Sequence, residues 1–296
     1  MAGSGERVLG LDIGGTHFRM GLCDQEGNLI AHESLPTASL PNAATGLRTL
    51  AAKLDPNRDA KVAVAGVPGV VDYVASRPVF APNLPQGFLA ELSGEAIAKV
   101  LDRKSFVIND ADLAAIGEAH FGAAKSSPSM AYVTVSTGVG AAIVIDKKLY
   151  HTRFSAGELG HSFIDSKNAR ASGEGSVEYC ASGTALGRIA REKGIALDNE
   201  QLVIAAKAGE GPAYDLVNNL ARNVAVALAN VVHLFSVETL VLGGGVILSG
   251  DFVFDLVEAH FMDLKPSYFE IAVLRAALGD NAGLAGSAGA LTALGA

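Results

Sequence analysis

Three short glycine turns each follow directly on an apolar run: "DIGGT" at 12–16, "STGVG" at 136–140 and "LGGGV" at 242–246. A turn without Cβ atoms lets successive backbone N–H groups approach an anion and point at it together. Gly14, Gly15, Thr16, Thr137, Gly138, Gly140, Gly243, Gly244 and Gly245 are the candidate phosphate seats. Asp12, at the end of the first run, is placed to hold a water of a phosphate-bound Mg²⁺. One such turn usually only reverses the chain, but three of one type describe a seat for a triphosphate. A further feature is the pair Asn109-Asp110 in "FVINDADLAAIGEAHFG", between an apolar run and helix-like spacing. Both residue types start helices. The pair therefore reads either as a cap or as a carboxylate held up to a substrate, and the residues alone leave both open.

The elements that must carry these groups alternate in type. "VLGLD", "HFRMGLC" and "LIAHESL" form a strand triplet joined by polar or glycine turns, followed by a helix over 46–55. "KVAVAGVPGVVD" runs from a buried strand into a loop, "LSGEAIAKVLD" is a second helix, and "SFVIND" is another strand. The helix after Asp110 runs to about His120, with Gly122 as its C-cap. The layout of residues 9–30 then returns at 131–151, with Gly14 and Gly138 in matching places. Two copies at so long a period indicate duplicated halves rather than a solenoid. Residues 181–235 are mostly helical, and "NAGLAGSAGALTALGA" reads as a small-residue helix that packs closely.

Composition narrows the classes. The chain has 296 residues, 49% of them hydrophobic and 18% charged, which favours a folded core over disorder. A net charge of -8 and the lack of a basic stretch argue against nucleic acid or an anionic membrane as partner. Two cysteines, Cys23 and Cys180, give no disulfide framework and suit a reducing compartment. With no signal-peptide pattern and no apolar run near ~20 residues, the expected location is the cytoplasm. Neither a P-loop nor a dinucleotide fingerprint occurs, and no H-E-x-x-H spacing supports a metal site.

Taken in order, "LGLDIGGTHFRMGL", "VINDADLAAIGEAHFG", "VSTGVGAAIVIDKKLYH", "AGELGH", "VEYCASGTAL", "LVLGGGV" and "LGDNAGLAGSAGAL" resemble the ROK family of sugar kinases across nearly the whole chain. The resemblance implies an α/β protein with the actin-like ATPase (ribonuclease H-like, hexokinase-type) fold, in two lobes with duplicated βββαβα halves. A small lobe is expected over 1–118, joined by the C-terminal helix 283–296, and a large lobe over 119–282. It implies Asp110 as catalytic base and Asn109, Glu158, His161 and Glu178 as sugar ligands. Asn83 of "APNLP" and Gly69 of "GVPGVVD" are further sugar contacts. The first two glycine turns match the family's phosphate loops and the third its adenosine side. ATP and Mg²⁺ are the implied cofactors and a homodimer the implied assembly. Many members bind zinc through the histidine of the G-H motif and three cysteines in the segment after it. Those cysteines fall here on Ala169, Ala171 and Ser176, so zinc is expected to be absent.

The resemblance thus implies ATP-dependent phosphorylation of a free hexose, glucose at its 6-hydroxyl being first choice. Sugar binding is expected to close a cleft between the halves, which would keep water from the phosphoryl group. A helix start at Asp110 favours its charged form, suiting it to accept a proton. Fructose, mannose, allose or N-acetylmannosamine are the alternative acceptors, and polyphosphate an alternative donor. A non-catalytic sugar-sensing regulator is the competing class. The family's repressors carry an N-terminal helix-turn-helix domain, for which the start of the first strand near Arg7 is expected to leave no room.

Overall fold

The computed structural model describes residues 6–209 and 211–295. The first strand triplet is β1 (Arg7–Ile13), β2 (His17–Cys23) and β3 (Leu29–Pro36), followed by α1 (Ala43–Leu54) and β4 (Ala60–Val67). What the sequence suggests as a loop after β4 is a small hairpin, β5 (Val70–Asp72) with β6 (Arg77–Phe80). Next come α2 (Phe88–Glu91), α3 (Gly94–Leu101), β7 (Lys104–Asn109) and α4 (Asp110–His120). The second triplet is β8 (Ser129–Val135), β9 (Val139–Ile145) and β10 (Lys148–Leu149). Helices α5 (Val177–Ala181), α6 (Gly183–Glu192), α7 (Asn199–Lys207) and α8 (Pro212–Phe235) precede β11 (Thr239–Gly243). The chain ends with α9 (Asp251–Met262), β12 (Ala272–Arg275) and α10 (Ala282–Leu294).

The two large sheets have the same plan. One runs β3-β2-β1-β4-β7 and the other β10-β9-β8-β11-β12, so each triplet is extended by two later strands in the same order. In both sheets the added strands are parallel to their neighbours, β1 with β4 and β7 and β8 with β11 and β12. The internal resemblance of 9–30 to 131–151 is therefore a duplication of the whole sheet topology.

By its internal contacts the chain divides into two units. The first comprises Met1–Pro128, Ala142–Ala156 and Ala277–Ala296, the second Ser129–Ala141 and Gly157–Ala276. Residues 119–128 and the stretch from Ala142 thus group with the N-terminal residues and the C-terminal helix.

In the first unit, strand alternation sorts side chains to two faces. Leu9, Leu11 and Ile13 of β1 join Leu47 and Leu50 of α1 and Ile97 and Leu101 of α3 in one core. Each such leucine or isoleucine contributes roughly 1.5–3 kcal/mol by leaving water. The other face carries α10, which packs on β1 and α4. Helices α4 and α10 touch at their backbones: a Cβ on Gly117 would lie 2.2 Å from the Ala282 carbonyl, and one on Gly286 2.0 Å from that of Leu113. The small residues of the last helix serve this close crossing.

Helix α4 ends differently from expectation. Its C-cap is Phe121, whose N–H donates to Gly117 O, and Gly122 is not among the residues with positive φ. Gly122 lacks a side chain for a steric reason instead: a Cβ there would sit 2.1 Å from Oε2 of Glu118, in the preceding turn. No helix among the described residues is long and apolar enough to cross a membrane.

Candidate active site

The junction of β7 and α4 sets the first group of residues. Asn109 has extended backbone (φ -63, ψ 145) and its side chain accepts from the N–H groups of Ala111 and Asp112, at 2.9 and 3.1 Å. The cap is therefore Asn109, and Asp110 is the first residue of the helix rather than its cap. The Asp110 carboxylate is exposed, and its Oδ1 accepts the adjacent N–H of Ala111 at 2.9 Å. The Asn109 amide donates to Gly69 O at 2.8 Å. Gly69 sits at φ +83, and a Cβ there would meet the Phe80 carbonyl at 2.1 Å, so only glycine fits that bend.

The turn after β1 lies on the same edge of the sheet. Asp12 of β1 is in register with Gly66 of β4, and Val67 of β4 with Asn109 of β7. Asp12 and Asp110 thus stand at the carboxyl ends of parallel strands two places apart, roughly 10 Å at ordinary strand spacing. Open α/β sheets bind ligands at that end. Thr37 braces the turn from behind, its N–H donating to Thr16 O at 2.9 Å and its hydroxyl to Gly14 O at 2.7 Å. Gly15 touches the "APNLP" segment, since a Cβ on it would lie 2.3 Å from Asn83 O. Gly69, Asn83, Asn109, Asp110 and the "DIGGT" turn are thereby gathered within one unit.

A pocket of about 510 Å³ opens at this turn, lined by Asp12, Gly14, Gly15, Thr16, His17, Arg19, Ser34 and Asp280. Gly15 and Thr16 are exposed, which leaves this turn open to an anion. Asp12 keeps 33% of its side-chain surface open; burial raises its pKa above the usual carboxylate value, against the opposing pull of Arg19 at 3.3 Å. Arg19 in turn donates to Asp280 O and, at 2.8 Å, to Asn281 Oδ1. A partly open carboxylate beside phosphate donors suits a hard, hydrated cation such as Mg²⁺.

Arg19 and Asp280 are pocket residues that motif reading misses. A signal for Arg19 exists in the hairpin, because Arg19 lies directly opposite Asp12 in the β1–β2 register. Asp280 lies in "LGDNAGLAGSAGAL", but that motif does not say that it meets the first turn, as it is brought in from the far end of the chain.

The second unit gathers the remaining candidates. "STGVG" joins β8 to β9, with Gly140 already inside β9. The start of α6 lies on this turn: the Gly183 N–H donates to Ser136 O at 2.7 Å and the Thr184 hydroxyl to Thr137 O at 2.7 Å. Glu178, in the short helix α5, accepts the Val139 N–H at 2.9 Å, and a Cβ on Gly138 would lie 2.4 Å from the same oxygen. The carboxylate expected to meet sugar is thus seated on the second glycine turn. Gly160 packs on the Val139 carbonyl, which places the Glu158–His161 turn beside it. His161 Nε2 and Glu158 Oε2 are 3.8 Å apart. Burial, opposed by His161 and reinforced by Glu178, holds the Glu158 pKa above its ordinary value.

The third turn abuts the end of β8, where the second turn begins. Gly244 has φ +87, and a Cβ there would meet the Val135 carbonyl at 2.3 Å. The Val246 N–H donates to the same carbonyl at 3.0 Å and so closes the turn against β8. Gly245 is exposed, with open space where a side chain would be.

The segment before Glu178 is held by its own hydrogen bonds. Both Ile164 and Asp165 donate N–H groups to Gly175 O at 3.0 Å, and Val177 donates to Ser162 O at 2.8 Å. The Asp165 carboxylate accepts from the N–H groups of Lys167 and Asn168 and from Asn168 Nδ2, the last at 2.6 Å. Ser176 then caps α5 by accepting the Tyr179 N–H. Among the described residues no group of three or more His, Cys, Asp or Glu is placed to hold a metal ion.

Both units thus carry glycine turns at the strand ends of a sheet of one topology, with the candidate polar residues seated on or beside those turns. Residues 8–293 match the ROK family. The chain belongs to the ROK family. It is 30% identical to the glucokinase of Streptomyces coelicolor, over 95% of this chain and 96% of that one. The ROK hexokinase of Thermus thermophilus superposes with a TM-score of 0.85 at 30% identity, covering 95% and 96% of the two chains. A ROK family glucokinase from Streptomyces griseus, solved with glucose and AMPPNP, gives a TM-score of 0.81 at 29% identity, covering 95% and 98%. The fold is accordingly the actin-like, hexokinase-type α/β fold.

Proposed function

We propose that this protein is a sugar kinase that transfers the γ-phosphoryl group of ATP to a free hexose, glucose at its 6-hydroxyl before others. The observation that carries the reading is the exposed carboxylate of Asp110 on the same strand-end edge as the "DIGGT" pocket. Relatives that are glucokinases, one of them solved with glucose and an ATP analogue, support it.

Phosphoryl transfer asks a protein for positioning, charge neutralisation and a proton acceptor. Asp110 accepts the proton of the attacking hydroxyl and orients that hydroxyl for in-line attack. Gly15 and Thr16, in the turn that Gly14 closes by donating its N–H to His17 O at 2.8 Å, together with Thr137, Gly138 and Gly140, supply N–H and hydroxyl donors to the phosphates, and the 243–245 glycines accommodate the nucleoside. Asp12 would hold a Mg²⁺ ion through water, and that ion would supply charge neutralisation for the phosphates. Glu158, His161 and Glu178 receive sugar hydroxyls, with Asn83, Gly69 and the second amide hydrogen of Asn109 as further contacts. A hydroxyl-matching set of this kind rejects sugars that leave its groups unpaired. A homodimer working in the cytoplasm completes the reading.

A panel of hexoses and N-acetylhexosamines tests it, turnover being read by coupled ADP release with ATP and by sugar-phosphate formation with polyphosphate. The expected result is turnover with ATP that is highest for glucose. Preference for fructose, mannose, allose or N-acetylmannosamine would move the substrate within the same reaction, and binding of sugar without turnover on any member would replace the kinase by a sensor.

A further inference from the structure

Between the β5–β6 hairpin and the start of α4 lies a buried hydrogen-bonded bridge that none of the roles above uses. The Tyr73 hydroxyl donates to Asp112 Oδ2 and accepts the backbone N–H of Asn109 at 3.2 Å. These two partners flank Asp110, one residue before it and two after. Asp112 is buried, with 1% of its surface exposed.

The tyrosine is itself fixed from behind. Its N–H donates to Arg153 O at 2.8 Å, and its ring packs on His151 with centroids 4.8 Å apart. The preceding residue, Asp72, is buried and receives the Arg153 guanidinium through Nε and Nη2, at 3.0 and 2.8 Å. Asp72 also accepts the N–H groups of Val74 and Ala75. The segment carrying Tyr73 is therefore tied down on both sides of the ring. Burial, together with the Asp112 carboxylate, pushes the phenol well above its usual pKa, so it stays a donor across the working range.

A ring used only for packing would need no hydroxyl, and phenylalanine would serve. Here the hydroxyl joins the last residue of a strand to the first turn of a helix, where helices fray most easily. We propose that Tyr73 is the positioning residue for Asp110, locking the strand end and the helix turn on either side of the carboxylate so that it meets the acceptor hydroxyl in line. The proposal rests on Asp110 being the base. Misplacing a reacting group by ~1 Å costs as much as a hundredfold in rate, so loss of one anchor acts on turnover and not on substrate affinity.

The test is Tyr73→Phe, alone and combined with Asp110→Asn, assayed by ADP release and counted per nucleotide-binding molecule, so that unfolded protein does not enter. Tyr73→Phe is expected to lower kcat about tenfold while the KM values for sugar and ATP stay within about twofold. In the Asp110→Asn background the same substitution should change residual turnover by less than about twofold, because two residues acting through one group are not additive. A Tyr73→Phe enzyme with normal kcat beside an inactive Asp110→Asn enzyme would overturn the proposal and leave the base in place. An equal loss in both backgrounds would overturn it too. A fully active Asp110→Asn enzyme would instead remove the base itself, and the proposal with it.

Discussion

Asn109→Ala removes two supports from the start of α4 at once. The side chain caps the helix through the N–H groups of Ala111 and Asp112 and braces Gly69 through its amide. Losing a cap costs about 1 kcal/mol, and losing a partly buried neutral hydrogen bond about another. The sum, about 2 kcal/mol, corresponds to a fall in Tm of roughly 3 °C in a protein of this size. Asn109→Ser separates the two supports, because serine caps a helix as well as asparagine but is too short to reach Gly69 O. It should lose only about half as much. Thermal unfolding followed by circular dichroism reads the stability, and ADP release reads the turnover. With the first turn loosened, kcat of the alanine variant should fall about tenfold and that of the serine variant less. An alanine variant that melts like the wild type, or a serine variant that melts as low as the alanine one, would refute the division of labour.

Glu118 is fully buried and accepts the N–H groups of Ala123, Ala277 and Leu278, so Glu118→Ala should cost about 3–5 kcal/mol in urea unfolding and Glu118→Gln, which keeps one oxygen, distinctly less. The raised pKa of Glu158 means that it takes up a proton above the ordinary glutamate range. Sugar KM should therefore rise as pH falls through that raised value, and this limb should vanish in Glu158→Gln; the folded state also gains relative stability below the unfolded pKa and loses it as pH rises through the folded one. The Asn168 side chain holds the Asp165 pKa below the usual carboxylate value, so its support of the 163–177 segment is present above the ordinary value and lost as pH falls through the lowered one. Asp165→Ala should raise the sugar KM and speed proteolysis of that segment, whereas a zinc chelator should leave the wild-type Tm unchanged.

The duplication was legible because it is written in local patterns: apolar strands, glycine turns and a repeated order at 9–30 and 131–151. Strand alternation and turn residues act over a few neighbours, and they carry through to two sheets of equal strand order. Gly122 shows where local reading misleads. A glycine after a helix resembles a left-handed cap, but this one makes room for a carboxylate of the preceding turn. The β5–β6 hairpin was hidden by the glycine and proline of "GVPGVVD", which read as loop. Arg19, Tyr73 and Glu118 gain their meaning from partners far along the chain, at Asn281, Asn109 and Leu278. No spacing within a motif encodes such pairs, because the fold brings them together. Likewise, the resemblance marks Glu178 as a sugar ligand, but not that a short helix seats it on the second glycine turn.

The central claim is that Asp110 takes the proton of the acceptor hydroxyl. Asp110→Asn keeps the shape of the side chain and an oxygen for the Ala111 N–H, now at 2.9 Å, but cannot accept that proton. Measured with saturating ATP and glucose, its kcat should fall by about 10²–10⁴, while calorimetry shows sugar and nucleotide bound as in the wild type. Turnover within about tenfold of the wild type would contradict the account.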